Sequence, residues 1–245
     1  MTKKVLCLDV GNTRVKWGVC ALEDVEISQQ GVTDQFVQAV NDFERLTPMP
    51  VWVSTVAAED VNEQIRCWFK KNWDQEINVL QSEPEFEGLQ NAYVKPEELG
   101  VDRWLAMIAA RKMFKTNFCV VDAGTATTID MVDAAGKHKG GLIMPGLTLM
   151  MRALSQNAAK IGQTEGNYRI LADNTNDAVT SGIMSSWLGG IEKALQALIE
   201  QNAECVVVLT GGDARRINLN GIDNVVHKNE LVLLGVGWVA RNRYA

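Results

Sequence analysis

Two short turns hold the residues best suited to chemistry. The first is Asp9-Val10-Gly11-Asn12-Thr13, at the end of an apolar run. The second is Asp122-Ala123-Gly124-Thr125, at the end of another. A glycine in a tight turn lets backbone N–H groups come close to a ligand, and small hydroxyl or amide side chains add donors. That combination can cradle a phosphate. A carboxylate beside it can hold Mg²⁺ through water, because Mg²⁺ keeps several waters and takes one or two carboxylates. Asp9 with Asn12 and Thr13 offers one such set, and Gly124 with Thr125 offers another. A plain hairpin turn favours the same residue types, so one copy decides little. Two copies at matching strand ends, 113 residues apart, weigh toward a ligand.

Three further stretches could act with these turns. In "LGVDRW" (99–104), Asp102 and Arg103 open a predicted helix. An Asp there can be an N-cap. It can also accept a hydroxyl proton in phosphoryl transfer, with the neighbouring Arg as a cation or a carboxylate clamp. "GKHKGGLIMPG" (136–146) reads as turn chemistry around a strand and a helix start. "LTGGDA" (209–214) ends a strand in two glycines, which leaves room for a flat ring such as adenine, or makes a plain strand-to-helix turn.

Other chemistries lack their signatures. There is no G-x-x-x-x-G-K-[ST], no G-x-G-x-x-G after the first strand and no G-x-S-x-G. His138 and His227 have no companions at ligand spacing, so no zinc site is expected. The net charge of −6 argues against nucleic acid as a partner. No apolar stretch reaches the roughly 18–20 residues of a membrane span, and Lys3-Lys4 lead straight into a strand with no signal peptide expected. Five scattered cysteines (Cys7, Cys20, Cys67, Cys119, Cys205) read as buried reduced thiols and point to the cytoplasm.

The positioning elements follow from periodicity. Residues 4–10 and 15–19 alternate as a hairpin, and 51–56 and 77–80 read as strands around a helix near 58–72. A turn-rich stretch, 83–101, precedes a helix from about 102 to 115. Strands are expected at 118–124, in "TTIDMVD", in "GGLIMPG" and in "CVVVLTGGD", with a long helix over about 176–202. The last segment, "ELVLLGVGWVARNR", reads as a helix packed on the sheet of "CVVVLTGGD". The repeated strand–Asp-x-Gly–strand pattern predicts a duplicated α/β fold, with halves at 1–117 and 118–245 and a cleft between them.

Taken in order, "DVGNTRVKWG", "NAYVKPEELGVDR", "DAGTATTID", "GGLIMPG", "TNDAVTSG" and "TGGDA" resemble the type III pantothenate kinases. These belong to the acetate and sugar kinase/Hsp70/actin superfamily. The resemblance implies two actin-like (ribonuclease H-like) domains with ATP in the cleft, and a homodimer. It implies transfer of the γ-phosphate of ATP to pantothenate, the first step of coenzyme A synthesis. By position, Asp9 would organise Mg²⁺, and Gly11, Asn12, Thr13 and Lys16 would hold phosphates. Asp102 would accept the proton, and Tyr93, Gly100, Val101, Arg103 and Thr180 would contact pantothenate. Asp122 would bind a monovalent cation, K⁺ or NH₄⁺, and Gly124 and Thr125 would contact ATP. One departure is "AKIGQ" (159–163), where the family tends to carry an aliphatic–Pro pair. Two alternatives stay open: a same-superfamily kinase for another small substrate, and a regulatory nucleotide-binding protein like the Bvg accessory factors.

Overall fold

Two apolar strands, each running into an Asp-x-Gly turn, organise the protein. The structure is a computed structural model and describes residues 3–157, 166–199, 204–219 and 221–244. It divides into two compact units. The first comprises residues 1–115, 135–138 and 230–245; the second comprises 116–134 and 139–229. The "AKIGQ" departure lies outside the described residues.

The first unit opens with β1 (Lys4–Val10), β2 (Val15–Ala21) and β3 (Glu26–Thr33). Helix α1 (Phe36–Phe43), β4 (Val51–Thr55), α2 (Glu59–Trp73) and β5 (Ile77–Val79) follow. The sheet order is β3-β2-β1-β4-β5. β1 is antiparallel to β2 and parallel to β4. Alternation sends Leu6, Leu8, Trp17, Val51 and Val53 to one face, where they pack with Phe36, Phe43, Ile65 and Phe69 of the two helices. Glu59 and Asp60 open α2, and Lys70 and Lys71 close it, each favoured by the helix dipole. β3 and α1 have no counterpart in the sequence reading. β3 is an edge strand with mostly exposed polar side chains, so it shows no apolar alternation.

The stretch 83–101 forms a small ladder of β6 (Glu85–Phe86) with β7 (Leu89–Gln90) and a single 3₁₀ turn at Pro96–Glu98. Helix α3 (Val101–Met113) follows.

The second unit repeats the first sheet. It contains β8 (Asn117–Ala123), β9 (Ala126–Val132), β10 (His138–Pro145), α4 (Leu147–Asn157), α5 (Thr175–Ile199), β11 (Cys205–Thr210) and β12 (Val225–His227). Its order is β10-β9-β8-β11-β12, the order of the first sheet with each strand replaced by its counterpart. Again the first strand is antiparallel to the second and parallel to the fourth. This is the duplicated α/β architecture expected from the two Asp-x-Gly turns. Trp187 of α5 is fully buried, and its indole N–H donates to Thr127 Oγ1 at 2.8 Å, tying the helix to β9.

The last helix, α6 (Leu231–Tyr244), corrects an expectation. It packs on β1, β2, β4 and α3 in the first unit, not on the sheet of β11. Gly18 of β2 and Gly235 of α6 explain the fit. A Cβ on Gly18 would come within 3.4 Å of Leu233, and one on Gly235 would lie 2.1 Å from the Leu105 carbonyl oxygen. The face of the first sheet opposite α1 and α2 is therefore closed by α3 and α6. The cysteine expectation also needs one correction: Cys7, Cys20, Cys119 and Cys205 are buried, whereas Cys67 is exposed on α2, and all five thiols are free.

Candidate functional site

Strand pairing alone assembles the first group. Asp9 on β1 lies directly opposite Lys16 on β2 and Ser54 on β4. Residues opposite one another in a ladder share a face, so the three side chains converge. Ser54 Oγ donates to Asp9 Oδ1 at 3.3 Å, and Lys16 Nζ stands 3.8 Å from Asp9 Oδ2. Asp9 and Ser54 are buried, and Lys16 is partly exposed. The turn is closed by the Gly11 N–H, which donates to the Arg14 carbonyl at 2.9 Å. Asn12 and Thr13 stand exposed at its tip. The result is a carboxylate flanked by a hydroxyl and an ammonium at the mouth of a short loop. Such a set suits a hydrated divalent cation and the phosphates it accompanies.

The second group forms around the start of α3. Gly100 is the N-cap, and the Trp104 N–H donates to its carbonyl at 3.1 Å. Asp102 is therefore not an N-cap. It sits in the first turn, where its Oδ1 accepts the Arg103 N–H at 2.8 Å. Gly100 leaves space there, since a Cβ on it would approach Asp102 Oδ1 to 2.7 Å. Val101 is buried, and Leu99 is fixed by the Ser82 hydroxyl, which donates to its carbonyl at 2.8 Å. Arg103 is also buried. Its Nη1 donates to Tyr93 Oη at 3.1 Å, with the guanidinium carbon 5.8 Å from the ring centroid. Arg103 and Tyr93, ten residues apart, thus present a fixed cation and a phenol beside the Asp102 carboxylate. That arrangement can grip an anionic, hydroxyl-bearing ligand.

In the second unit three motifs meet. Asp122 on β8 lies opposite Thr128 on β9 and Thr210 on β11, matching the partners of Asp9 strand for strand. The Gly124 N–H donates to the Ala126 carbonyl at 3.1 Å, and Thr125 supplies its own carbonyl to the Gly146 N–H at 3.0 Å. A Cβ on Gly146 would fall 2.2 Å from the Gly124 carbonyl oxygen. Gly211 stands at φ +94°, and a Cβ there would come 2.5 Å from Asp122 Oδ1 and from the Ala123 carbonyl. The "DAG", "PG" and "TGG" stretches therefore need their glycines to fit around one carboxylate. A carboxylate with backbone carbonyls close by offers hard oxygen donors of the kind that hold a cation.

Thr180 lies on the first turns of α5. It is buried, and its hydroxyl accepts the Gly166 N–H at 2.8 Å. Asp177 and Ser181 accept the N–H groups of Asn167 and Arg169, both at 2.7 Å. These three side chains latch residues 166–169 onto the helix. Asn174 caps it, with Oδ1 accepting the Asp177 N–H at 2.9 Å. The Asn167 backbone N–H, then the Asn174 amide, hold the Asp177 carboxyl below its ordinary range.

Ser54 of these groups, and His138 outside them, escape sequence reasoning. Ser54 could have been flagged as a polar residue ending the apolar run "VWV" in line with Asp9. His138 is a lone histidine between Lys137 and Lys139, and only the fold shows what it touches.

Comparison with known proteins follows the same residues. A family model described as type III pantothenate kinase matches residues 5–197, which take in the groups around Asp9, Asp102, Asp122 and Thr180 but not Thr210 and Gly211. A type III pantothenate kinase of Nitrosococcus oceani is 34% identical over 252 residues, covering 97% of this chain and 94% of its own. One from Dechloromonas aromatica is 37% identical, over 87% of this chain and 89% of its own. A solved structure from Campylobacter jejuni, described as a Baf family transcriptional activator, covers 98% of this chain and 100% of its own, with a TM-score of 0.60 at 22% identity. That likeness shows a shared fold.

Proposed function

We propose that this chain, which belongs to the type III pantothenate kinase family, transfers the γ-phosphate of ATP to the hydroxyl of pantothenate. The observation that carries the reading is the family match over residues 5–197, which takes in both Asp-x-Gly turns and the start of α3. The hydroxyl oxygen attacks the γ-phosphorus, the bond to the β-bridging oxygen breaks, ADP leaves and the hydroxyl proton passes to Asp102. Such a transfer asks mainly for positioning and charge neutralisation.

The residues divide the work. Gly11, Asn12, Thr13 and Lys16 hold phosphates, and Gly124 and Thr125 contact ATP. Asp9 is the residue for Mg²⁺, with Ser54 fixing one of its oxygens; bound Mg²⁺ supplies charge neutralisation at the phosphates. Asp122 is the residue for a monovalent cation, K⁺ or NH₄⁺. Tyr93, Gly100, Val101, Arg103 and Thr180 line pantothenate. Arg103 suits its carboxylate, because a guanidinium grips a carboxylate through two parallel hydrogen bonds.

A homodimer is part of the reading. The second unit exposes Leu142, Ile143 and Leu149, apolar side chains of the kind that a partner copy covers. A cytoplasmic location is also part of it, supported by five free thiols.

The test is ADP release from purified protein with ATP, Mg²⁺ and pantothenate, with and without K⁺. Asp102→Asn should keep ATP binding and lower turnover by about 10²–10⁴-fold, the usual size of acid–base assistance. Unchanged turnover removes Asp102 from the role. A regulatory nucleotide-binding protein would bind ATP without pantothenate-dependent ADP release. A kinase for another substrate would respond to a different member of a substrate panel.

A further inference from the structure

His138 is fully buried, in a stretch the proposed chemistry does not use. The chain leaves the second unit after Ala134, gives residues 135–138 to the first and returns at Lys139. This detour is built for close approach. Gly136 adopts φ +89°, and a Cβ on it would lie 2.1 Å from the Gly88 carbonyl oxygen. Its own carbonyl accepts the Gln90 N–H at 2.9 Å, and Lys137 makes an isolated parallel bridge to Gln90 of β7. A side chain at position 136 would force this segment away.

What the detour delivers is an imidazole under Tyr93. The two rings lie within 7° of parallel with centroids 6.3 Å apart. That spacing is within the offset-stacked range for aromatic pairs. His138 Nδ1 accepts the Ala92 N–H at 3.4 Å, so it holds the backbone on one side of Tyr93. The next amide, the Tyr93 N–H, donates to Asn91 Oδ1 at 3.0 Å. The Tyr93 hydroxyl then accepts from Arg103, which leaves the phenol with its ring, the two amides leading into it and its oxygen fixed.

We infer that His138 is a positioning residue for pantothenate: it sets the Tyr93 ring and, through the Tyr93 hydroxyl, the Arg103 guanidinium beside Asp102. This rests on the reading of Tyr93 and Arg103 as the pantothenate site. It gives the histidine a role through orientation alone, with no part in proton transfer and no contact with ATP.

The test is a mutant cycle in the pantothenate-dependent ADP-release assay. Wild-type protein without such release would defeat the underlying reading, and only an active wild type goes on to the cycle. His138→Ala should raise the KM for pantothenate by about three- to tenfold, the effect of one lost fixing interaction. KM for ATP should stay within about twofold on the same reasoning, since the phosphate turns are untouched. Tyr93→Ala should raise the pantothenate KM as well, and adding His138→Ala to it should change KM little, because the histidine acts through Tyr93. His138→Asn offers an acceptor in place of Nδ1 and should recover part of the loss. His138→Phe, which keeps a flat ring of similar volume, takes the place of the alanine variant if thermal unfolding shows the latter unfolded at the assay temperature. An unchanged pantothenate KM in a folded variant overturns the inference. So does a full additional rise when the His138 change is made on Tyr93→Ala.

Discussion

Gly235 and Gly189 sit inside helices and should respond to alanine with opposite signs. In an exposed helix interior, Gly→Ala gains about 1 kcal/mol from backbone entropy. At Gly189 of α5 a Cβ would meet nothing within 4 Å, so that gain should appear undiminished. At Gly235 of α6 the same Cβ would stand 2.1 Å from the Leu105 carbonyl oxygen and 2.6 Å from its carbon. Carbon–oxygen contacts below about 3 Å do not persist, so the two helices must part by roughly 0.9 Å at this point. Backbone cannot swing aside as a flexible side chain can. Forcing extra carbon into a packed interior costs about 1–3 kcal/mol and more when backbone must move. Because backbone must move, the clash falls at the upper end of that range or above it and exceeds the helix gain, for a net loss of about 1–2 kcal/mol or more. For a protein of this size each kcal/mol moves Tm by about 2–4 °C. Scanning calorimetry should show Gly235→Ala lower by several degrees and Gly189→Ala higher by a few. Because Leu105 follows Asp102 by one helical turn, Gly235→Ala should also lower turnover. A Gly235→Ala protein as stable as wild type would refute the reasoning about this helix crossing.

Asp9→Ala should abolish the Mg²⁺-dependent rise in activity, and Ser54→Ala should shift the Mg²⁺ titration midpoint upward; a normal titration in Asp9→Ala refutes the assignment. Asp177 should make the second unit acid-sensitive. Its carboxyl is held below its ordinary value of 3.8, so the stability it contributes is complete above that value and is lost as pH falls through the lower folded one. The Tm difference between wild type and Asp177→Asn should therefore shrink as pH falls below about 4; a difference that grows toward acid refutes it. A thiol reagent should modify one cysteine of the native protein and all five after unfolding. Cys67→Ser should remove the native reaction, which should be slow near neutral pH because Glu63 raises that thiol's pKa.

Local pattern made much of this molecule legible. The Asp9 and Asp122 turns stand out because an apolar strand, an acid and a glycine fall within a few residues, and the ladder partners of each acid then follow. The helix carrying Asp102 was also clear, yet its cap was not. Gly100 closes the N-terminus and Asp102 lies inside the first turn, a two-residue difference that periodicity cannot resolve. Long-range packing was illegible. The partner of α6 depends on Gly18 and Gly235, which look like ordinary glycines in sequence. The stack of His138 on Tyr93 joins residues 45 positions apart. Nothing near Thr180 hints that its hydroxyl would accept the Gly166 N–H. β3 was invisible because none of its residues is buried, so no face imposes alternation.

The assignment of α6 to the first unit bears on how the protein is made. During synthesis the last 16 residues of the first unit, Glu230–Ala245, emerge after every residue of the second. Until then the sheet face that holds Gly18 and Cys20 has no α6 to cover it. The second unit has all of its residues before the first does, whose β-sheet waits half dressed. A stop codon near residue 230 would thus strip the amino-terminal body, leaving the carboxy-terminal one whole, the reverse of what reading order suggests.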